Sequence, residues 1–154
     1  MPISDLCTTD LVCIEKDATL KHASQLMKKH HVGGLVVVEA NNKSKPVGIL
    51  TDRDIVLSVV AENLSPNMKV QDIMTKELVK VHKKEGISKV IEIMEDKAVR
   101  RMIVVDEAGN ACGLVSSDDI LQLVSKELNG LGRLVQKQLK NEKKYKPTLK
   151  QAML

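Results

Sequence analysis

The chain matches itself. Shifted by 67 residues, Ile3 falls on Val70, Asp5 on Asp72, Val12 on Val79, Ile14 on Val81, Leu20 on Ile87, Ala23 on Val90, Met27 on Met94, Leu35 on Met102 and Val38 on Val105. The register then slips to 65, because the turn at 40–46 is two residues longer than the one at 107–111. It resumes with Gly48 on Gly113, Thr51 on Ser116, Asp54 on Asp119 and Ile55 on Ile120. A fixed period of this kind marks two copies of one structural unit. One copy of about 60 residues has a marginal core, so the copies are expected to pack on each other.

Within each copy the spacing of apolar residues changes in the same order. Leu20, Ala23 and Met27, like Ile87, Val90, Ile91 and Met94, recur three and four apart, as on one face of a helix. Residues 35–38 and 102–105 are unbroken apolar runs, which read as strands covered on both faces. Asn41-Asn42 and Gly109-Asn110 supply turn chemistry, residues 47–50 and 112–115 a second strand, and helices are predicted from Asp52 and Ser117. Thr51 and Ser116 stand at N-cap positions. Asp54 and Asp119, three residues on, match a capping box apart from the short reach of aspartate. Each copy therefore reads β-α-β-β-α, in the α+β class, with helices at 18–29, 52–61, 85–96 and 117–128.

Charge is unevenly placed. Residues 125–154 hold eight Lys or Arg against Glu127 and Glu142, so the formal net charge of +4 hides a body of net −2 and a basic tail. A basic tail does not make the body a nucleic-acid binder, and with Tyr145 as its one stacking residue the tail itself is an improbable nucleic-acid site. Asn129-Gly130 is a helix-stop signal, after which Leu131, Leu134, Val135, Gln138 and Leu139 resume helical spacing until Pro147 interrupts. The tail could pack on the module or a second chain, touch an acidic partner or membrane surface, or stay frayed. The domains expected are 1–66, 67–128 and a helical tail at 129–154.

Three cysteines without CxxC spacing point to a reducing compartment. No secretion signal or membrane-spanning run is legible, and the expected location is the cytoplasm. One Tyr and no Phe or Trp dictate an aliphatic core, so a ring-binding site must work without aromatic stacking.

The two copies resemble a tandem pair of CBS domains over residues 3–128. The resemblance is carried by Asp72-Ile-Met-Thr75, Val104-Val105-Asp106 and the segments Gly48-Ile-Leu-Thr-Asp-Arg-Asp54 and Gly113-Leu-Val-Ser-Ser-Asp-Asp119. It implies a pseudo-twofold pair with two clefts, binding of adenosine-containing ligands, and a homodimer formed through the helices. It places Asp54 and Asp119 on ribose hydroxyls, with Thr51 and Ser116 near phosphate. A carboxylate can accept from two vicinal hydroxyls, and helix-start amides favour an anion; local capping explains the same residues equally well.

The copies differ where Arg100-Arg101 replaces Gly33-Gly34. Guanidinium groups clasp phosphate through paired hydrogen bonds, and the resemblance implies a phosphate contact for Arg101 and a ligand position for Arg100. Charges flanking a strand also blunt aggregation. The implied adenine slot comprises Thr75, Leu78, Val79, Lys80, Met102 and Ile103 in copy two, and Thr8, Leu11, Val12, Cys13, Leu35 and Val36 in copy one. Copy one opens Asp5-Leu-Cys-Thr8, a departure that keeps the threonine. An Arg pair plus Lys80 suits AMP or ADP at least as well as ATP, and argues against the sulfonium of S-adenosylmethionine.

Catalysis has little support. Neither a phosphate loop nor a dinucleotide fingerprint is present. His30-His31 reads as a polar helix end rather than a metal pair, Cys7 and Cys13 as buried small residues, and Asp118-Asp119 point to different helix faces. The expected function is a regulatory adenine-nucleotide sensor acting on a separate protein. The alternative is a non-catalytic structural or interaction module with empty clefts.

Overall fold

The computed structural model describes the backbone of residues 1–152 and the side chains of residues 1–144. The chain divides into two compact units, Met1–Ser117 and a second that begins at Asp118. In the first unit, β1 (Cys13–Glu15), α1 (Leu20–His30), β2 (Gly34–Glu39), β3 (Asn42–Thr51) and α2 (Asp52–Ile55) form the first copy. The second copy continues with β4 (Lys80–His82), α3 (Ile87–Lys97), β5 (Arg101–Val105) and β6 (Ala111–Ser116). Helix α4 (Ser117–Ala152) completes the β-α-β-β-α order and lies in the second unit from Asp118 onward.

Each copy holds a three-stranded sheet in which the first strand runs parallel, and the third antiparallel, to the central one. The registers preserve the sequence offset: Cys13 pairs with Val36, and Lys80 with Ile103. The apolar run of β2 is explained by its two buried faces. Leu35 and Val37 join Leu20, Ala23 and Met27 of α1 in one core. Val36 and Val38 face the other way and meet Ile103 of β5. Val36 and Ile103 are equivalent positions in the two copies, so the sheets touch where the pseudo-twofold axis must pass. Each such fully buried aliphatic side chain contributes about 1.5–3 kcal/mol.

The opening segments of the copies are exchanged. The Ile3 amide donates to the Glu85 carbonyl (2.7 Å) and Ser4 to Lys83 (3.1 Å); in the other direction Val70 donates to Ala18 (2.8 Å) and Gln71 to Lys16 (3.0 Å). Every residue in the second set lies 67 beyond, or 67 before, its counterpart in the first. Short bridges obey the same rule, with Pro2 opposite Gly86 and Lys69 opposite Thr19. Val70 is wholly buried in the first copy's core. The first copy's core thus takes in a residue from the second repeat, and Ile3, equally buried, is tied to the second copy through Glu85.

Helices α1 and α3 end alike, on His31 (φ 53°) and Ala98 (φ 52°) in the left-handed region. His30-His31 is thus the helix end that the sequence predicts. Thr19 caps α1 by accepting from the His22 amide at 3.1 Å.

Four expectations are corrected. The helix predicted at 52–61 is α-helical over Asp52–Ile55 and widens to a π-helix over Val56–Ala61, a stretch whose three β-branched valines have lower α-helix propensity. Asn129-Gly130 does not stop α4. Gly130 lacks a positive φ, unlike Gly109 at 80°, and a glycine inside a helix costs about 1 kcal/mol, which good helix formers on both sides outweigh. The backbone is likewise helical across Pro147 to Ala152; the side chains of Tyr145, Lys146, Pro147 and Lys150 lie outside the described residues. Cys13 is exposed rather than buried, because it stands at the free edge of its sheet, whereas Cys7 is half-buried.

Cys7 also explains a glycine. A β-carbon at Gly113 would lie 2.5 Å from Cys7 Sγ and 3.4 Å from the Thr8 carbonyl oxygen, and one at Gly48 would collide with Met74 and approach the Thr75 carbonyl at 3.1 Å. Both glycines are required by the opposite copy. Gly113→Ala is expected to cost about 1–3 kcal/mol in urea unfolding, with part of the loss recovered in a Gly113→Ala/Cys7→Ala double variant. Strictly additive losses would show that the two residues do not meet.

Candidate functional site

The exchange of opening segments decides which predicted residues come together. Thr8 pairs with Leu114 of β6, each amide donating to the other's carbonyl (2.9 and 3.0 Å), and Thr75 pairs with Ile49 of β3 in the same way (3.0 and 3.1 Å). Each exposed threonine therefore lies beside the Gly-x-x-[Ser/Thr] strand of the other copy. Further along, the segments return to their own sheets: the Val12 carbonyl accepts from Val36 and the Val79 carbonyl from Ile103, both at 3.1 Å. Residues 8–12 and 75–79 bridge the two halves, so a groove along either is built from both copies.

Within the predicted slots, exposure is unequal. Thr75 and Lys80 are exposed, Val79, Leu78, Leu11 and Val12 half-buried, and Met102, Ile103, Leu35 and Val36 belong to the core at 0–1% exposure. The last four can support a slot from behind; their side chains offer a ligand no accessible surface. Accessible polar edges come instead from the bridging segments.

At the start of β5 each of the two arginines stands beside a serine. Arg101 stands opposite Ser116 in the antiparallel register, where paired side chains share one face. The Arg101 guanidinium runs toward the first copy, with Nε 3.9 Å from where a Gly34 β-carbon would stand. Arg100 sends Nε to Ser117 Oγ at 3.4 Å, and its carbonyl accepts from the Ser117 amide at 2.9 Å. Successive positions at this strand end thus carry two guanidinium–hydroxyl pairs, Arg101 with Ser116 and Arg100 with Ser117, each a donor set suited to an anion.

The matching end of the first copy has the opposite character. Gly34 pairs with Thr51, and a β-carbon at Gly33 would lie 3.2 Å from an Asp52 carboxylate oxygen. Asp52 occupies the place of Ser117, and glycine the place of each arginine. Sequence reading saw the missing arginines but not Asp52, which had the look of an ordinary first-turn helix acid.

Thr51 and Asp54 form a full capping box. Thr51 Oγ1 accepts from the Asp54 amide (3.2 Å) and Asp54 Oδ2 from the Thr51 amide (2.9 Å). The aspartate reaches after all, because Thr51 is extended at φ −111° and turns its amide toward the helix. Asp119 is half-buried in the first turn of α4, directly after the first unit ends.

An open groove of about 510 Å³ lies elsewhere on the first copy, lined by Cys13, Glu15, His22, Leu26, Val38 and Lys43 among others. Of the predicted slot residues it includes Cys13. Among the described residues, no group of three or more His, Cys, Asp or Glu is placed to hold a metal ion, and no helix is long and apolar enough to cross a membrane.

Asp106, at the end of β5, organises a turn away from these residues. The amides of Asn110 and Ala108 both donate to its Oδ1 at 2.9 Å and hold its carboxyl below the usual range. Beside it, Lys83 (2.8 Å) and Lys84 (3.0 Å) hold Glu107 down at about 2. Both carboxyls bind protons more weakly folded than unfolded, so their stabilisation is present above the unfolded value, 4.5 for Glu107, and is lost as pH falls toward 2. The melting midpoint is expected to decline over that window. Glu107→Gln should flatten part of the decline, and added salt should shrink that part because the pair is exposed. An identical slope in the variant would exclude Glu107 as a contributor.

Residues 3–61 and 70–126 each match the family model of the CBS domain. The chain is similar to the uncharacterized protein MK0525 of Methanopyrus kandleri, 30% identical over 122 residues. That match covers 79% of this chain and 61% of the relative, so the chain spans less than two thirds of the longer protein. Among solved structures it is similar to the CBS domain pair of protein MJ0100 in complex with 5′-methylthioadenosine and S-adenosyl-L-methionine. Identity there is 25% and the TM-score 0.71, covering 80% of this chain and 99% of that one. It is also similar to the CBS domain protein PAE2072 from Pyrobaculum aerophilum complexed with AMP, at 24% identity and TM-score 0.72, covering 81% and 99%. At that identity the second likeness speaks for the fold alone.

Proposed function

The chain belongs to the CBS domain family, as a tandem pair, and on that premise we propose that it is a regulatory module that binds an adenosine-containing ligand and signals occupancy to a separate protein. The repeats are taken as 1–66 and 67–128, with 129–154 as a basic helical tail. The observation that carries the reading is the Arg101 guanidinium, opposite Ser116 and beside Gly34, at the strand end where Arg100 meets Ser117. Its chemistry suits a phosphate, and the adjoining bridge at 75–79 offers backbone edges to a base. The MJ0100 pair, with two adenosine compounds in its complex, supports the ligand class.

AMP or ADP fits this cluster better than ATP, whose third phosphate exceeds the cations at hand, and better than S-adenosylmethionine, whose sulfonium two guanidinium groups repel. Asp119 is assigned to the ribose through the family motif, with Thr75, Val79 and Lys80 at the base and Met102 behind them. In the first copy Thr8, Val12, Thr51 and Asp54 take the corresponding parts, with Asp52 in place of a cation. The same reading makes the chain a non-catalytic, cytoplasmic homodimer, consistent with its free cysteines and with the exposed Val56, Leu57, Val60 and Ile91.

A second reading, an interaction module with empty clefts, draws on the first copy, where the Thr51–Asp54 capping box accounts for both motif residues without a ligand.

Calorimetric titration separates the two. Arg101→Ala and Asp119→Ala are each expected to weaken AMP binding by about 1–3 kcal/mol and to leave the ligand-free melting temperature nearly unchanged. Asp54→Ala is expected to lower ligand-free stability by about 1 kcal/mol through loss of the cap. Equal AMP affinity in wild type, Arg101→Ala and Asp119→Ala, or no affinity in the wild type, would replace the sensor by the interaction module.

A further inference from the structure

We propose that the chain binds one nucleotide rather than one in each half, because its repeats share a single phosphate-binding arginine, Arg101, on the pseudo-twofold axis. This rests on the reading of the chain as an adenine-nucleotide sensor and fixes how many ligands that sensor takes.

The axis is marked by residues that gather with their own equivalents. Val36 and Ile103 share one cluster, and Leu11, Leu78, Ile49 and Leu114 pack against it. These are three residues of the first repeat and their counterparts in the second. Two positions earlier on the same strands, and so on the same faces, come Gly34 and Arg101. The approach persists there, with Arg101 Nε 3.9 Å from the place of a Gly34 β-carbon.

A position on such an axis is met by its own equivalent, so its two occupants matter together. Two arginines would set like charges face to face, and two glycines would supply no cation. Arginine against glycine admits one guanidinium and leaves the room into which it extends. Space, not backbone freedom, is what Gly34 provides, since its φ is not positive.

Arg101 is half-buried, and among the described residues no carboxylate forms an ion pair with it. Arg100 is engaged with Ser117 Oγ on its own half. Thr51 pairs with Gly34 and Ser116 with Arg101, which brings one hydroxyl residue of each half to the same strand ends. Thr51 Oγ1 accepts from the Asp54 amide and keeps a hydrogen to donate. A phosphate held there draws on both halves. A second nucleotide would find the arginine engaged and its own phosphate set against the first.

Calorimetry on the full chain reads the stoichiometry directly and is expected to give one AMP per chain. Arg101→Gly is expected to weaken AMP binding roughly tenfold or more. Moving the arginine across the axis, in Gly34→Arg/Arg101→Gly, is expected to recover most of that loss, which a site confined to the second repeat would not do. Should the swap not fold by circular dichroism, Gly34→Leu takes its place. Filling the room across the axis is expected to weaken AMP binding as Arg101→Gly does. Failure of the wild type to bind AMP would end the sensor reading and this one together. Two AMP per chain, a folded swap no tighter than Arg101→Gly, or unchanged affinity in Gly34→Leu would end the sharing alone.

Discussion

Each half of the first unit depends on a short arm from the other. Val70 opens the second repeat yet is buried among α1 and β2 of the first, while Ile3 hydrogen-bonds into the loop before α3. The linker after Val56–Ala61 therefore delivers a core residue as well as connecting two domains. Once the arms are crossed, the rest is constrained. Val36 meets Ile103, Thr75 is set beside Ile49 and Thr8 beside Leu114, and Gly48 and Gly113 are held to a size that admits Met74 and Cys7. A small aliphatic protein without Phe or Trp obtains close packing through this reciprocity, since its individual cores are too small to be secure alone.

Much of this was legible in the sequence. The offset of 67, found by matching side chains, reappears in hydrogen bonds between backbone groups, which had no part in finding it. The strand order, the helix ends at His31 and the N-cap at Thr51 followed from local rules because local geometry fixes them. The crossing of the arms did not follow. A repeat compared with itself reveals which residues are equivalent, never which equivalent a residue touches. Gly48 and Gly113 consequently read as motif members, although their size is set by a side chain more than twenty residues away in one case and more than a hundred in the other.

The misreadings share a cause. Asn129-Gly130 was judged by its two residues, whereas the path of α4 is set by the formers on either side. The slot residues Met102 and Leu35 lie in the core, and burial depends on layers that sequence does not display. Asp52 was overlooked for the same reason: its carboxylate matters through its nearness to Gly33. With Arg100 and Ser117 at one strand end, and Gly33 and Asp52 at the other, the duplicated framework carries electrostatically opposite ends.

Arms that exchange under a strict twofold rule are what two separate one-repeat polypeptides would use to hold each other. Joining them by a linker turns that encounter into an intramolecular event at high effective concentration. It also frees the repeats to diverge: a covalent pair can place arginines on one side and glycines on the other, a division of labour that identical partners could never adopt.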